Sequence, residues 1–475
     1  MPKIAADVLS ALAHATTVNI LVEHEGSTTS GLSKATAVIQ ADRGCIRSQK
    51  VCTALQSQAT KSQSCVARVL GGDAYTHVQR QSFWIANVMH VKHAPSCLVQ
   101  ALAKCAAVSA ITLEPTFPLR ALPPAQAYTN DVALLEDYMP QWGVDKIGAP
   151  AVWATTRGQG VVVGIIDSGV LHTHEALAGK WRSSHGWFDP QGQTLLPSDG
   201  NGHGTHVLGT ILGANGIGVA PDATFVACNG CPGGTCIGSA VLACAQFLLC
   251  PTDPMGGDRN CSMHPHVINN SWGGPSVGPW FDAAIAAWRL AGIVPIFAAG
   301  NGGATCDTVT SPGDSTQAIA VGATGNGGTN SGTDELAYFS SRGGSSDDVI
   351  KPDLVAPGYF VLSAFASSES SYAYMAGTSM AAPHVTGAVA LLLSRNLSAT
   401  YDDVYRQLTT TAVTSTLVPT NQNCGGVADA TFPNNNYGFG RVDVSRAMAA
   451  SNAQTAASNS KAKVFVAEPL TLPDF

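Results

Sequence analysis

The chain has 475 residues, a formal net charge of −7, 45% hydrophobic residues and only 12% charged ones. That balance allows a sizeable folded core and excludes a disordered polyelectrolyte, and the lack of basic clusters removes the electrostatic case for a nucleic-acid partner. No apolar run approaches the ~18 residues of a membrane helix, residues 387–393 (GAVALLL) being among the longest, so no membrane association is expected.

In chain order, the opening MPKIAADVLSALAHA makes a poor secretion signal, because Asp7 interrupts any apolar centre. Residues 17–22 (TVNILV), 82–88 (SFWIANV) and 108–113 (VSAITL) read as strands. Residues 96–107 (SCLVQALAKCAA) read as a helix with Ser96 as its N-cap. A small α+β unit of order β-α-β-β-α-β follows. The next stretch, EPTFPLRALPP at 114–124, carries four prolines in eleven residues and reads as a linker, since proline opposes both helix and central strand.

From about Trp142 the pattern changes. Apolar runs at 161–166, 224–228, 266–270, 293–298 and 318–323 alternate with helical stretches such as 241–249 and 281–291. Uninterrupted apolar strands between helices predict a parallel sheet covered on both faces. The segment 451–475 is polar at first and unpatterned and reads as a loosely attached tail. No internal repeat is found.

Of thirteen cysteines, five (Cys45, Cys52, Cys65, Cys97, Cys105) precede residue 130 and eight follow (Cys228, Cys231, Cys236, Cys244, Cys250, Cys261, Cys306, Cys424). The later, even set predicts disulfides and an oxidising, extracellular location, with about 105 connectivities left open. A zinc reading of Cys228-x-x-Cys231 lacks a second pair.

Ligand sites of parallel sheets gather beyond the carboxyl ends of the strands. There the sequence puts Asp167 (IIDSG), Asn301 (AGNGG) and the small-residue edge SWGG that begins at Ser271. His203 (NGHGTHV) and Ser379 (GTSMAAPHV) each open a helix, with glycine or alanine clearing space around them. These are the parts of a nucleophilic relay. Serine attacks a carbonyl only if an imidazole takes its proton, and a carboxylate holds that imidazole in the right tautomer. Each has a plainer reading: Ser379 as an N-cap, Asp167 and Asn301 as turn formers, Trp272 as packing, and His203 with His206 as a metal pair lacking a third ligand. His206 and His384 themselves read as buried, hydrogen-bonded structural histidines. The triplets at Asn260, Asn269 and Asn396 match a glycosylation pattern that is frequent by chance.

The motifs IIDSGV, NGHGTHV and GTSMAAPHV, in the order Asp–His–Ser, resemble those of the subtilisin-like serine proteases. WGVDKIGAPAVW, WFDPQG and NNSWGG look most like the bacillopeptidase F group within that family. The resemblance implies a three-layer α/β fold with a mainly parallel sheet, preceded by a small α+β ferredoxin-like inhibitory propeptide. It implies catalysis by Asp167, His203 and Ser379, with Asn301 in the oxyanion hole. Substrate backbone would lie along Ser271, Trp272 and Gly273, with Ala298 and Gly300 opposite. The implied division is propeptide 1–125, processing region 126–141, peptidase 142–450 and tail 451–475, with self-cleavage between residues 116 and 141. The expected partners are protein and peptide substrates and the chain's own propeptide, on a secreted monomer. No cofactor is required; calcium is common in the family as a structural ion, and no acidic cluster is assigned to it. Two rivals differ. An α/β-hydrolase wants G-x-S-x-G and the order Ser–Asp–His, which this chain lacks. A silent pseudoprotease acting as a binding module would not need all four catalytic positions filled.

Overall fold

A computed structural model describes residues 3–25, 32–33, 36, 47–119, 122–128, 140–274, 280–325, 334–344 and 349–451. Its first elements are α1 (Ala6–His14), β1 (Thr17–His24), α2 (Arg47–Ser62), α3 (Ser64–Leu70), β2 (Arg80–Phe83), β3 (Val88–Pro95), α4 (Ser96–Ala103) and β4 (Val108–Leu113). They build an antiparallel sheet of order β2-β3-β1-β4, as the β-α-β-β-α-β pattern predicts. The run 82–88 is not one strand. Residues 84–87 turn the chain, with Asn87 at φ 54°, a left-handed conformation that asparagine tolerates and a period-2 pattern does not register. Pro95, not Ser96, holds the N-cap position of α4, and that helix ends four residues before the expected Ala107. Its continuation bends at Cys105, which is bonded to Cys65.

The proline-rich stretch is not a free linker. It forms β5 (Thr116–Pro118) and contributes to β6 (Leu122–Tyr128). Both are edge strands, where a residue without an N–H costs no ladder bond.

The second unit contains β7 (Val162–Asp167), β8 (Trp187–Phe188), α5 (His203–Leu212), β9 (Thr224–Asn229), β10 (Thr235–Ile237), α6 (Gly238–Leu249), β11 (Val267–Asn270), α7 (Asp282–Ala291), β12 (Val294–Ala298), β13 (Ile319–Thr324), β14 (Leu354–Pro357), β15 (Val361–Ala364), β16 (Tyr372–Ala376) and α8 (Thr378–Arg395). Seven parallel strands run in the order β14-β13-β12-β11-β7-β9-β8. Val207 and Ile211 of α5 join Val385 and Val389 of α8 in the core on one face; Val241 and Leu248 of α6 join Ile285 and Trp288 of α7 on the other. Each such side chain, fully buried, contributes about 1.5–3 kcal/mol. The result is the expected three-layer α/β arrangement.

The eight later cysteines pair among themselves as Cys228–Cys244, Cys231–Cys236, Cys250–Cys261 and Cys306–Cys424. The zinc reading of Cys228 and Cys231 is therefore corrected: each sulfur is committed to a different bridge. The tail from residue 452 and the greater part of the expected processing region, 129–139, lie outside the described residues.

Candidate active site

Asp167 ends β7, and Ser271 follows β11 on the neighbouring strand. The register Asn270↔Ile166 sets them side by side at the carboxyl edge. His203 opens α5, whose N-cap Gly202 has no side chain to satisfy the first-turn amides. Asp199 does so instead: its carboxylate accepts from the Gly202 and Thr205 amides at 2.8 and 3.0 Å and from the Ser168 and Thr205 hydroxyls. Gly204 lets the helix approach the strand end, since a Cβ there would collide with the Gly169 carbonyl.

His203 Nδ1 donates to Asp167 Oδ1 at 2.7 Å, both side chains being 1% exposed. Burial opposes the charged imidazolium, but the Asp167 carboxylate beside it, with Asp199 further off, more than offsets this and raises the His203 pKa. With Nδ1 committed as donor, Nε2 is the ring nitrogen left to accept a proton, and it is buried without a hydrogen-bond partner among the described residues.

Ser379 is the second residue of α8, so its N–H is one of the first-turn amides without an intrahelical acceptor. Its Oγ donates to the Ser271 carbonyl at 3.1 Å, while Ser271 Oγ donates to the Ser379 carbonyl at 2.9 Å. The hydroxyl thus rests on the adjacent strand end rather than on His203, and rotation about Cα–Cβ is what would turn it away. Asn301 Oδ1 accepts from the Thr378 N–H and Oγ, both at 2.9 Å. An N–H can only face an oxygen, so these bonds fix the amide's orientation and leave Nδ2 as its donor end.

Ser379, Asn301, Ser271, Trp272, Gly273, Ala298 and Gly300 line one cavity of about 200 Å³. Asp167 and His203 are not among the residues lining it. Thr310, which sequence reasoning did not single out, closes part of this cavity: Cβ atoms placed on Gly273 or Gly300 would lie 2.5 or 2.6 Å from its Oγ1. Cys306–Cys424 ties its loop to the C-terminal region. His206 and His384 are buried and bonded to backbone carbonyls, as expected. Burial pushes them down to about 3 and about 4, so both are neutral.

The chain itself enters this cavity. β5 pairs antiparallel with β10, Phe117 opposite Cys236, and Leu119 N donates to the Gly234 carbonyl at 2.8 Å. The Phe117 ring stacks on Trp272 at 5.8 Å and meets Trp280 edge-on at 6.4 Å. Gly274 permits that approach, a Cβ there lying 3.1 Å from the Phe117 ring. Pro118 and Leu119 continue along the cavity wall. One turn back, Glu114 Oε1 accepts from the Ser239 amide at 3.1 Å and the Pro115 carbonyl from the Gly238 amide at 2.9 Å. The N-terminal unit thereby caps α6, placing a carboxylate at the positive end of its dipole.

Burial alone would raise the Glu114 pKa; hydrogen bonds and charge from His90, at 3.1 Å, together with Ser239, hold it below the usual carboxylate value. His90 belongs to the same N-terminal unit and stays beside Glu114 when that unit leaves, so the Ser239 amide is what couples this carboxylate to docking. Glu114→Gln should weaken docking about tenfold at pH 7, which isothermal titration of the two separated units would read.

Residues 158–440 match the sequence model of the Subtilase family. Bacillopeptidase F of Bacillus subtilis (strain 168) is 36% identical over 339 residues, covering 65% of this chain and 22% of that protein's length. An alkaline protease of Alkalihalobacillus alcalophilus is 33% identical over 319 residues, covering 65% of this chain and 74% of its own. Subtilisin BL of Lederbergia lenta is 34% identical over 296 residues, covering 61% and 96%. With the family model spanning more than half of its length and the sheet, strand ends and helix starts arranged as described, this chain belongs to the subtilase family of serine peptidases.

Proposed function

We propose that the protein is a secreted serine endopeptidase made as a zymogen, and that residues 1–125 are its inhibitory propeptide. Ser379 Oγ attacks the substrate carbonyl while His203 Nε2 takes its proton, and the Asp167 carboxylate supports the imidazolium that forms. The oxyanion accepts from the Ser379 N–H and Asn301 Nδ2. Collapse breaks the C–N bond, His203 returns the proton to the leaving amine, and water then releases the acyl group by the same route. Backbone along Ser271–Gly273 and along β10 would hold the substrate between them. The observation that carries this reading is the chain's own extended segment, paired with β10 and running along a cavity wall that includes Ser379 and Asn301. Five disulfides among the described residues support export to an oxidising compartment.

The register narrows the processing site. Phe117 sits against the Trp272 ring and Leu119 lies on the wall of the Ser379 cavity, at ~3.3 Å of chain per residue. The bond offered to the hydroxyl then lies beyond Leu119. N-terminal sequencing of the processed peptidase is expected to begin between residues 120 and 128, with a fluorophosphonate labelling Ser379 once the propeptide is removed. A first residue beyond Tyr128 would contradict the register; an unlabelled processed chain would speak for a silent binding module instead.

A further inference from the structure

Thirteen cysteines leave an odd thiol, and among the described residues one free thiol is buried where two polypeptide units meet. Cys52 lies on α2, whose buried face carries Val51, Leu55 and Ala59 into the same apolar cluster as Trp288 of α7. One turn earlier on that helix, Ser48 Oγ donates to the carbonyl of Cys261 at 2.6 Å, fixing α2 against the Cys250–Cys261 bridge of the peptidase. The sulfurs of Cys52, Cys250 and Cys261 all lie within 4.8 Å of one another. Arg259, stacked over Trp84 of the N-terminal unit at 5.8 Å, adds a positive charge beside this cluster.

We propose that Cys52 is the nucleophile of an internal thiol–disulfide exchange that links the N-terminal unit covalently to the peptidase body. Cys52 sulfur, having given up its proton, attacks one sulfur of the Cys250–Cys261 bridge. A new S–S bond joins Cys52 to that residue, the old S–S bond breaks, and its electron pair leaves on the other cysteine, which takes up the proton. One disulfide and one thiol precede the step and one of each follows it, so no oxidant or reductant is consumed. Burial pushes the Cys52 thiol up to about 11, with Arg259 opposing, so the attacking thiolate is scarce near neutral pH and the exchange quickens as pH rises.

The consequence rests on the proposed zymogen reading: once the backbone is cut beyond Leu119, the link keeps the inhibitory segment at an effective concentration of about millimolar beside its cleft. The exchange itself does not rest on that reading, and the test separates the two. Full-length Ser379→Ala protein, which cannot process itself, is incubated at pH 8, denatured in N-ethylmaleimide and mapped by mass spectrometry of its peptides. A peptide joining Cys52 to Cys250 or Cys261, with the third cysteine alkylated, is the expected result; Cys52 fully alkylated beside an intact Cys250–Cys261 bridge overturns the proposal, whatever the fate of processing. In cleaved active enzyme on a non-reducing gel, the N-terminal fragment should travel with the peptidase. Cys52→Ser should cut that share at least roughly tenfold, whereas Cys97→Ser, at an exposed thiol, should leave it unchanged. Equal separation in all three proteins also overturns it.

Discussion

Ser379→Ala is expected to fold, to remain a single uncut chain, and to hydrolyse peptides about 10⁶-fold more slowly than the processed enzyme, a magnitude carried over from the equivalent change in a subtilisin. The size of the loss follows from the relay acting as a unit. Without the hydroxyl, His203 has no proton to accept, and its paired carboxylate has no charge to stabilise. The fold should survive because the residue's structural share is small. Ser379 is 5% exposed, and among the described residues its Oγ makes a single hydrogen bond, to the Ser271 carbonyl. Removing one such bond costs about 1 kcal/mol, against a marginal stability of about 5–15 kcal/mol for a domain. Circular dichroism, turnover of a peptide library and a denaturing gel together read the three expectations. A variant that still cuts itself, or retains its rate, would move the nucleophile elsewhere.

Asp167, His203, Asn301 and Ser379 stand out in the sequence as candidates because each sits where a regular element starts or stops, amid small residues that leave room for another chain. The parallel sheet was legible for a related reason: strands buried on both faces read as unbroken apolar runs. What the sequence hid depends on partners far along the chain. Asp199 caps a helix from outside it, since the N-cap itself is glycine, and only the fold shows Thr310 standing between Gly273 and Gly300. Proline content hid the strand at Thr116–Pro118, because an edge strand needs few of its own donors and leaves no periodic trace in three residues. One signal was present: Phe117 is the lone aromatic among residues 114–124, and a ring in a polar, proline-rich stretch calls for an apolar partner. The zinc reading failed for a different reason. Spacing brings Cys228 and Cys231 close in sequence, but β9 and α6 carry Cys228 to Cys244, and the turn before β10 brings Cys231 to Cys236.

Phe117 carries the second large effect. Phe117→Ala should weaken retention of the cleaved N-terminal unit by about 10²–10⁴-fold, seen as activity emerging at correspondingly higher protein concentration when the processed complex is diluted. The ring is 6% exposed between Trp272 and Trp280, and deleting a buried phenylalanine side chain costs about 3–5 kcal/mol, of which stacked pairs supply about 0.5–1.5. Loss of docking would not be total, because α2 still packs on α7 and Glu114 still caps α6. The measurement belongs in the Cys52→Ser background, where no covalent link competes with dissociation. Phe117→Leu is the discriminating control. It keeps most of the apolar area and loses the aromatic stacking, so it should cost about tenfold. If Ala and Leu variants retain the unit as tightly as phenylalanine does, then the strand at β10 is held by its backbone alone, and the aromatic clamp is no determinant of what this cleft accepts.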